Sequence, residues 1–207
     1  MTHPNTRVVK LGGSLLSMPD LRARLTDWLA GQPPAANVMI VGGGQLVEAI
    51  RRADQLHKLD QRQAHLLCIR AMSITAKIIA ELLPDAQRIS QWNSLPDALR
   101  EQRPIILDTL DFLRDVEPNC AGESLPEDWS ATSDSIAARV ATVLSAEELV
   151  LLKSAPPPAD DVQSAAKAGY VDEHFPRAAA ALAAIRFVDL REEGVQAAGI
   201  AVRRTPC

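Results

Sequence analysis

Short apolar segments that stop at glycine, alternating with longer segments of helical period, most limit what this chain can fold into. Residues 7–11 (RVVKL) read as a buried strand broken by Gly12-Gly13. Residues 37–41 (NVMIV) read as a second strand, stopped by Gly42-Gly43-Gly44. Residues 104–108 (PIILD) and 148–152 (ELVLL) read as a third and a fourth, and residues 186–190 and 199–203 as late strands. Between them, residues 20–29, 45–57, 60–83, 133–144 and 175–185 carry helical spacing or composition. Pro84 ends the longest of these helices. Residues 116–128 and Pro156-Pro157-Pro158 read as loops, and Ser133 or Asp134 is placed to cap the helix that follows Thr132. Strands alternating with helices call for a mainly parallel sheet covered on both faces. The expected fold class is therefore α/β, a three-layer αβα sandwich with a mainly parallel central sheet, formed by residues 1–207 as a single domain. Such sheets take ligands at the carboxyl ends of their strands, at a topological switch point.

Composition removes several other classes. The chain has 207 residues, of which 47% are hydrophobic and 23% charged, too apolar for intrinsic disorder. Aromatic residues make up 3%, so base-stacking platforms are scarce, and the net charge of −4 comes with no clustered basic face. No nucleic-acid partner is expected. Cys68, Cys120 and Cys207 are far apart and form no CxxC, which argues against a disulfide framework and a cysteine zinc site. His3, His57, His65 and His174 show no paired ligand spacing, so no protein-held metal is expected. No apolar run approaches the ~18 residues needed to span a bilayer. No basic stretch leads into an apolar one at the N-terminus. The expected location is the cytoplasm, with no membrane partner.

The chemistry-bearing residues fall at the expected strand ends. Val9-Lys10-Leu11-Gly12-Gly13-Ser14 joins a lysine to a glycine turn, whose backbone N–H groups can form an anion nest. Lys10 is expected at the solvent-facing end of its strand rather than in the core. Gly42, Gly43 and Gly44 precede a helix, whose N-terminus favours an anion. Either glycine stretch alone also reads as a plain tight turn. Ser133-Asp134-Ser135-Ile136-Ala137-Ala138 opens a helix with an acid, which in isolation is equally a plain cap. Leu151-Leu152-Lys153-Ser154 closes an apolar strand with a lysine, which in isolation is equally a snorkelling side chain. G-x-x-x-x-G-K-[ST] is absent. Gly42-x-Gly44 would start a dinucleotide fingerprint, but Val47 stands where its third glycine belongs, which counts against a Rossmann-type oxidoreductase.

In this order the four elements resemble the amino acid kinase superfamily, the aspartate/glutamate/uridylate kinases. V-K-L-G-G-S is similar to its opening strand and turn, V-G-G-G to its second glycine loop, S-D-S-I-A-A to its S/A-D-x-x-A-A segment, and L-V-L-L-K-S to the strand after it. The stretches from Ala64 to Met72 and from Gly169 to Pro176 are similar to a branch of methanofuran-biosynthesis kinases. The resemblance implies transfer of the γ-phosphoryl group of ATP to a phosphate or carboxylate, with Mg²⁺ arriving on the nucleotide. It assigns Lys10 to the transferring group, Asp134 to orienting the lysines, and Lys153 to catalysis and to the nucleotide phosphates. Gly12, Gly13 and Ser14 would hold nucleotide phosphates, and Gly42, Gly43, Gly44 and Ser133 the acceptor. The expected partners are a nucleotide and a small anionic acceptor. Ala155-Pro156-Pro157-Pro158-Ala159 stands where most members carry a D-G loop, and no G-G-M-x-x-K supplies a second lysine. These departures keep a non-catalytic member, binding a nucleotide or oxyanion for storage or regulation, as the alternative. Apolar residues on more than one face of the long helix at residues 60–83 lead to the expectation of a homodimer or larger assembly.

Overall fold

In a computed structural model that describes residues 5–192 and 200–201, the sheet runs in the order β3-β4-β2-β1-β5-β6-β7. The strands are β1 (Thr6–Leu11), β2 (Ala36–Val41), β3 (Gln87–Ile89), β4 (Ile105–Leu107), β5 (Glu148–Lys153), β6 (Ile185–Asp189) and β7 (Ile200–Ala201). Strands β1 to β6 pair in parallel, and β7 joins the edge antiparallel to β6. The chain steps from β1 to β2 on one side and returns to β5 on the other, so β1 is central and the switch point lies at its carboxyl end.

Period-two alternation sorts the central strands into two cores. Val8, Val38, Ile40, Leu149 and Leu151 join one cluster with Ile136, Ala137 and Val140 of the helix α6 (Ser133–Val143). Val9, Leu11, Met39, Val41, Val150 and Leu152 join the other, with Leu21, Leu25 and Trp28 of α1 (Leu21–Ala30) and Ala76 and Ile79 of α3 (Gln61–Leu82). The same alternation turns Lys10 and Lys153 toward the face that α6 covers.

Helix α2 (Gly44–His57) lies outside both cores, with no fully buried residue, and Leu56 is 76% exposed. Asp60 caps α3 by accepting from the Gln63 N–H at 3.0 Å. Leu67, Ile74 and Ile78 remain exposed along α3. Short helices α4 (Leu95–Ala98) and α5 (Thr109–Asp111) follow β3 and β4, while α7 (Val162–Lys167) and α8 (Phe175–Ala178) fill the β5–β6 crossover. Among the described residues no helix is long and apolar enough to cross a membrane.

One sequence expectation changes, one strand is added, and one expectation is met in the described residues. The alanine-rich helix expected at 175–185 stops at Ala178 and gives way to turns, because β6 needs extended backbone from Ile185 to pair with β5. The tertiary pairing overrides alanine's helix propensity. Strand β3 is too short and too polar to show a periodic signal. Of the strand expected at 199–203, Ile200 and Ala201 pair with β6, and the remaining residues lie outside the described ones.

A buried ion pair fixes α6 from its far side. Arg139 and Glu117 are both buried, with Arg139 Nε 3.0 Å from Glu117 Oε1. The same guanidinium donates to the Ala121 and Cys120 carbonyls. Removing one partner strands the other charge in the interior, at about 3–5 kcal/mol. Glu117→Ala is therefore expected to lower the unfolding free energy by about that amount, read from its urea midpoint. An unchanged midpoint would show that the pair does not hold α6.

Candidate active site

Lys10, Asp134 and Lys153, which the sequence distributes over 144 positions, meet at the carboxyl ends of β1 and β5 and the first turn of α6. The Lys153 ammonium donates to Asp134 Oδ2 at 2.8 Å and to the Tyr170 carbonyl at 2.7 Å. It also lies 5.1 Å from the centre of the Tyr170 ring. The Lys10 ammonium pairs with the other carboxylate oxygen, Asp134 Oδ1, at 2.8 Å. An ammonium carries three donors, so this pairing takes only one of them. Lys10 is not at the solvent-facing end of its strand, as the sequence suggested. It is 4% exposed, because α6 covers the face onto which alternation turns it.

Burial by itself would raise the Asp134 carboxyl, but the Lys10 and Lys153 charges outweigh it and bring it down to about 2. Burial draws Lys153 down from an ordinary 10.5 to about 8, against the opposing pull of Asp134, while Lys10 adds to the lowering. Two ammonium groups share one carboxylate, so direct pairing leaves one positive charge over. A second carboxylate, Asp172, also acts on Lys153.

The two glycine turns meet backbone to backbone beside this cluster. A Cβ on Gly13 would collide with the backbone N and Cα of Gly44, and one on Gly44 would stand 2.6 Å from the Gly13 oxygen. Gly44 also has φ of +55°, the left-handed region that suits glycine. The amides divide differently from the sequence expectation. Gly12 donates to the Leu152 carbonyl and Gly42 to the Leu11 carbonyl, both at the rim of the sheet, so neither amide is free for an anion. The donors left at the turns belong to the next residues, Gly13 and Ser14 on one side and Gly43 and Gly44 on the other, where 3₁₀ and α-helical segments begin. Ser14 Oγ lies 2.8 Å from Ser154 Oγ, joining the two strand ends.

A cavity of about 480 Å³ opens next to the turns, in the range of small-ligand sites. Gly13, Ser14, Gly42, Gly43, Gly44 and Ser133 border it. Its further wall includes Glu48, His65, Cys68, Asp128 and Trp129, which motif reading did not select as a set. Trp129 is held by its Nε1–H donating to Asp54 at 2.7 Å, with the Arg51 guanidinium 4.5 Å over the ring. Hydrogen bonds from Ser130 keep the Asp128 carboxyl below its usual value, and burial lowers His65 and pushes the Cys68 thiol up to about 11. These residues come from α2, α3 and the loop before α6, and no local sequence signal links them.

The cap of α6 also departs from the sequence reading. Neither Ser133 nor Asp134 caps the helix; Thr132 stands at the N-cap without a side-chain cap bond of its own. Asp172, from beyond α7, accepts there instead.

The Lys153 titration gives a test with a defined sign. The folded protein binds this proton less tightly than the unfolded chain, so between about 8 and 10.5 the unfolded state carries more protons. Stability contributed by this group therefore rises with pH across that window. The unfolding free energy of the wild type is expected to gain on that of Lys153→Met as pH rises through it. Parallel urea-unfolding curves at each pH would show that Lys153 keeps its ordinary affinity for the proton.

Residues 5–157 match the Amino acid kinase family. Among curated proteins, the chain is 26% identical over 146 residues to [5-(aminomethyl)furan-3-yl]methyl phosphate kinase of Methanocaldococcus jannaschii, covering 70% of this chain and 63% of that protein. The chain thus spans a little under two thirds of that relative. Among solved structures, aspartate kinase from Synechocystis superposes with a TM-score of 0.68 at 13% identity, over 98% of this chain and 40% of that one. UMP kinase from Bacillus anthracis gives 0.64 at 10% identity, over 98% of this chain and 100% of that one. Uridylate kinase from Archaeoglobus fulgidus gives 0.51 at 21% identity, over 75% and 67%. These likenesses concern the fold. With its motifs in order at the ends of parallel strands and the family pattern matched over most of its length, the chain belongs to the amino acid kinase family.

Proposed function

We propose that this protein, residues 1–207 working as one domain, is a small-molecule kinase that transfers the γ-phosphoryl group of ATP to a small anionic acceptor. A phosphate-bearing acceptor is favoured over a carboxylate. The observation that carries this reading is the buried Asp134 carboxylate shared by Lys10 and Lys153 beside two abutting glycine turns. Phosphoryl transfer passes through a loose transition state, so the protein's task is to position two anions and neutralise their charge. Lys10, which pairs with Asp134 through one of the three donors of its ammonium, meets the transferring group. Lys153 reaches the nucleotide phosphates, and Asp134 holds both lysines apart and charged. It acts as an anion and not as a base, because the acceptor is already ionised.

Gly13 and Ser14 offer amides to the nucleotide, and Gly43 and Gly44 to the acceptor, with Ser133 beside them. Gly12 and Gly42 serve by allowing close approach. Among the described residues no three His, Cys, Asp or Glu side chains come together as a metal set. On this reading Mg²⁺ rides on the nucleotide, held by phosphate oxygens and water, as magnesium's preference for oxygen ligands and retained water allows.

The acceptor cavity supports a finer choice. The relative from M. jannaschii is named for a phosphate ester that also bears a ring and an aminomethyl group. In this chain the cavity combines the glycine amides with the Trp129 ring and the Glu48 and Asp128 carboxylates. That set suits an acceptor with a phosphate, a small ring and a cationic amine, which would place the reaction in methanofuran or related one-carbon cofactor synthesis. The free thiols Cys68 and Cys120 fit a reducing, cytoplasmic setting. The exposed stripe of Leu67, Ile74 and Ile78 on α3 suits a second copy of the chain.

Lys10→Met keeps the aliphatic bulk while removing the ammonium. It is expected to lower kcat by about 10²–10³, the usual effect of losing one preorganised donor, with the melting temperature little changed because Asp134 stays paired with Lys153. Full activity in this variant would misplace the site. ADP release over a panel of phosphate and carboxylate acceptors, alongside calorimetric titration with ATP·Mg²⁺, tests the function. Turnover with amine-bearing phosphate esters is the expected result, while binding without acceptor-dependent turnover would favour a non-catalytic nucleotide-binding member. Sedimentation at micromolar concentration is expected to show a dimer or larger species, and a monomer throughout would refute the oligomer.

A further inference from the structure

The crossover after β5 contains a strap that none of the site residues so far explains. Helix α7 ends at the left-handed Gly169 (φ +69°), with the Gly169 amide donating to the Ala166 carbonyl and the Tyr170 amide to the Ala165 carbonyl. This helix ending fixes the direction in which the chain leaves α7. The strap is pinned again downstream, where the His174 N–H donates to the Ser130 carbonyl at 3.0 Å and Phe175 is fully buried. Between these two anchors the Tyr170 carbonyl accepts from the Lys153 ammonium, and the Asp172 carboxylate reaches the start of α6.

Asp172 accepts from both ends of that first turn. Its Oδ2 takes the Thr132 N–H at 2.9 Å, the Thr132 hydroxyl at 2.8 Å and the Ser135 N–H at 3.0 Å, and its Oδ1 takes the Ser135 hydroxyl. Asp134 lies inside the turn so bracketed. A carboxylate hydrogen-bonded on both sides of Asp134, carried by the same short strap whose carbonyl holds Lys153, couples the two partners of the ion pair. Ordinary capping comes from within the same helix start. Here the cap is delivered by a segment 37 to 40 residues downstream, and it occupies the place where a substrate anion would otherwise meet the helix N-terminus.

We propose that Asp172 is a positioning residue for the phosphoryl-transfer site: it fixes the α6 turn that presents Asp134 and, through the Tyr170–Asp172 strap, sets the place of the Lys153 ammonium. The inference rests on the kinase reading for its effect on turnover, but not for its effect on Lys153. The charged groups facing Lys153 are Asp134 from α6, Lys10 from β1 and Asp172 from the strap. Asp189 of β6 pairs with Lys153 in the sheet register.

The test is Asp172→Asn, which keeps the size of the side chain and removes its charge. Lysine-labelled, ligand-free protein is titrated by NMR, with the Lys153 signal identified through Lys153→Arg. The Lys153 midpoint is expected to fall below its wild-type value, because a neighbouring negative charge has been lost. In the kinase assay kcat is expected to fall at least about tenfold with a smaller change in the KM for ATP, since the lost order lies at the reacting groups. Asp172→Glu, which returns the charge, is expected to recover part of both.

A folded Asp172→Asn protein with an unmoved Lys153 midpoint and wild-type kcat would overturn the proposal, even with a lowered melting temperature, and would leave Asp172 a cap alone. Should Asp172→Asn fail to fold, Thr132→Val with Ser135→Ala removes two of the four donors and leaves every charge in place. Reduced kcat at unchanged KM in that variant supports the proposal, and unchanged kcat overturns it. Wild-type protein inactive toward every acceptor would defeat the kinase reading, while the Lys153 titration would still decide the role of Asp172.

Discussion

One carboxylate between two ammonium groups organises this molecule's working end. Asp134 is buried, and so is Lys10, so neither charge could be kept there alone without a large desolvation cost. Asp134 is tolerated because two ammonium groups face it, either of which can pair with it, and Lys10 is tolerated because Asp134 is present. Those three residues stand on β1, β5 and α6. The parallel pairing of β1 with β5 and the packing of α6 across them are thus the conditions under which the cluster exists. Both ammonium groups lean on this one carboxylate, and the more distant Asp172 carboxylate adds a second negative charge near Lys153.

The glycine turns meet a different demand. Two strand ends come together backbone to backbone, and any side chain between them would hold the turns apart. Gly13 and Gly44 abut through backbone atoms, and a Gly42 Cβ would stand 2.8 Å from the Gly13 nitrogen. Amides given to the sheet and amides left at the turns fall on different residues. Gly12 and Gly42 give their amides to the sheet rim, and the following residues face the cleft. A string of glycines in such a turn is therefore not a string of equivalent ligands.

On the far side of the cluster, the proline-bearing stretch after Lys153 forms no strand of the sheet, and the chain returns through α7 into the Tyr170–Asp172 strap. The strap gives Lys153 a carbonyl and the α6 turn a carboxylate, so positioning in this region comes from a segment with no glycine-rich motif. Glu117 and Arg139 hold α6 from the opposite direction, and the helix that carries Asp134 is fixed at its start and along its length.

The sequence by itself determined the alternation of strands and helices, the parallel sheet and the family. It also placed Lys10, Asp134, Lys153 and both glycine turns, because these features repeat with a short period or sit at strand ends that apolar runs mark. Tertiary structure alone decided the rest. Lys10 is buried rather than exposed because α6 lies over it, which residues 7–14 do not encode. The helix expected beyond Ala178 yields to β6 because pairing with β5 outweighs the preference of alanine. Strand β3 forms from a polar triplet because β4 is there to pair with it. Asp172 caps α6 across 40 residues, and Trp129, Asp128 and Glu48 share one cavity, because loops far apart in sequence are brought together by the sheet. Local pattern reports the period and ends of elements, whereas contacts between elements depend on where the whole chain carries them.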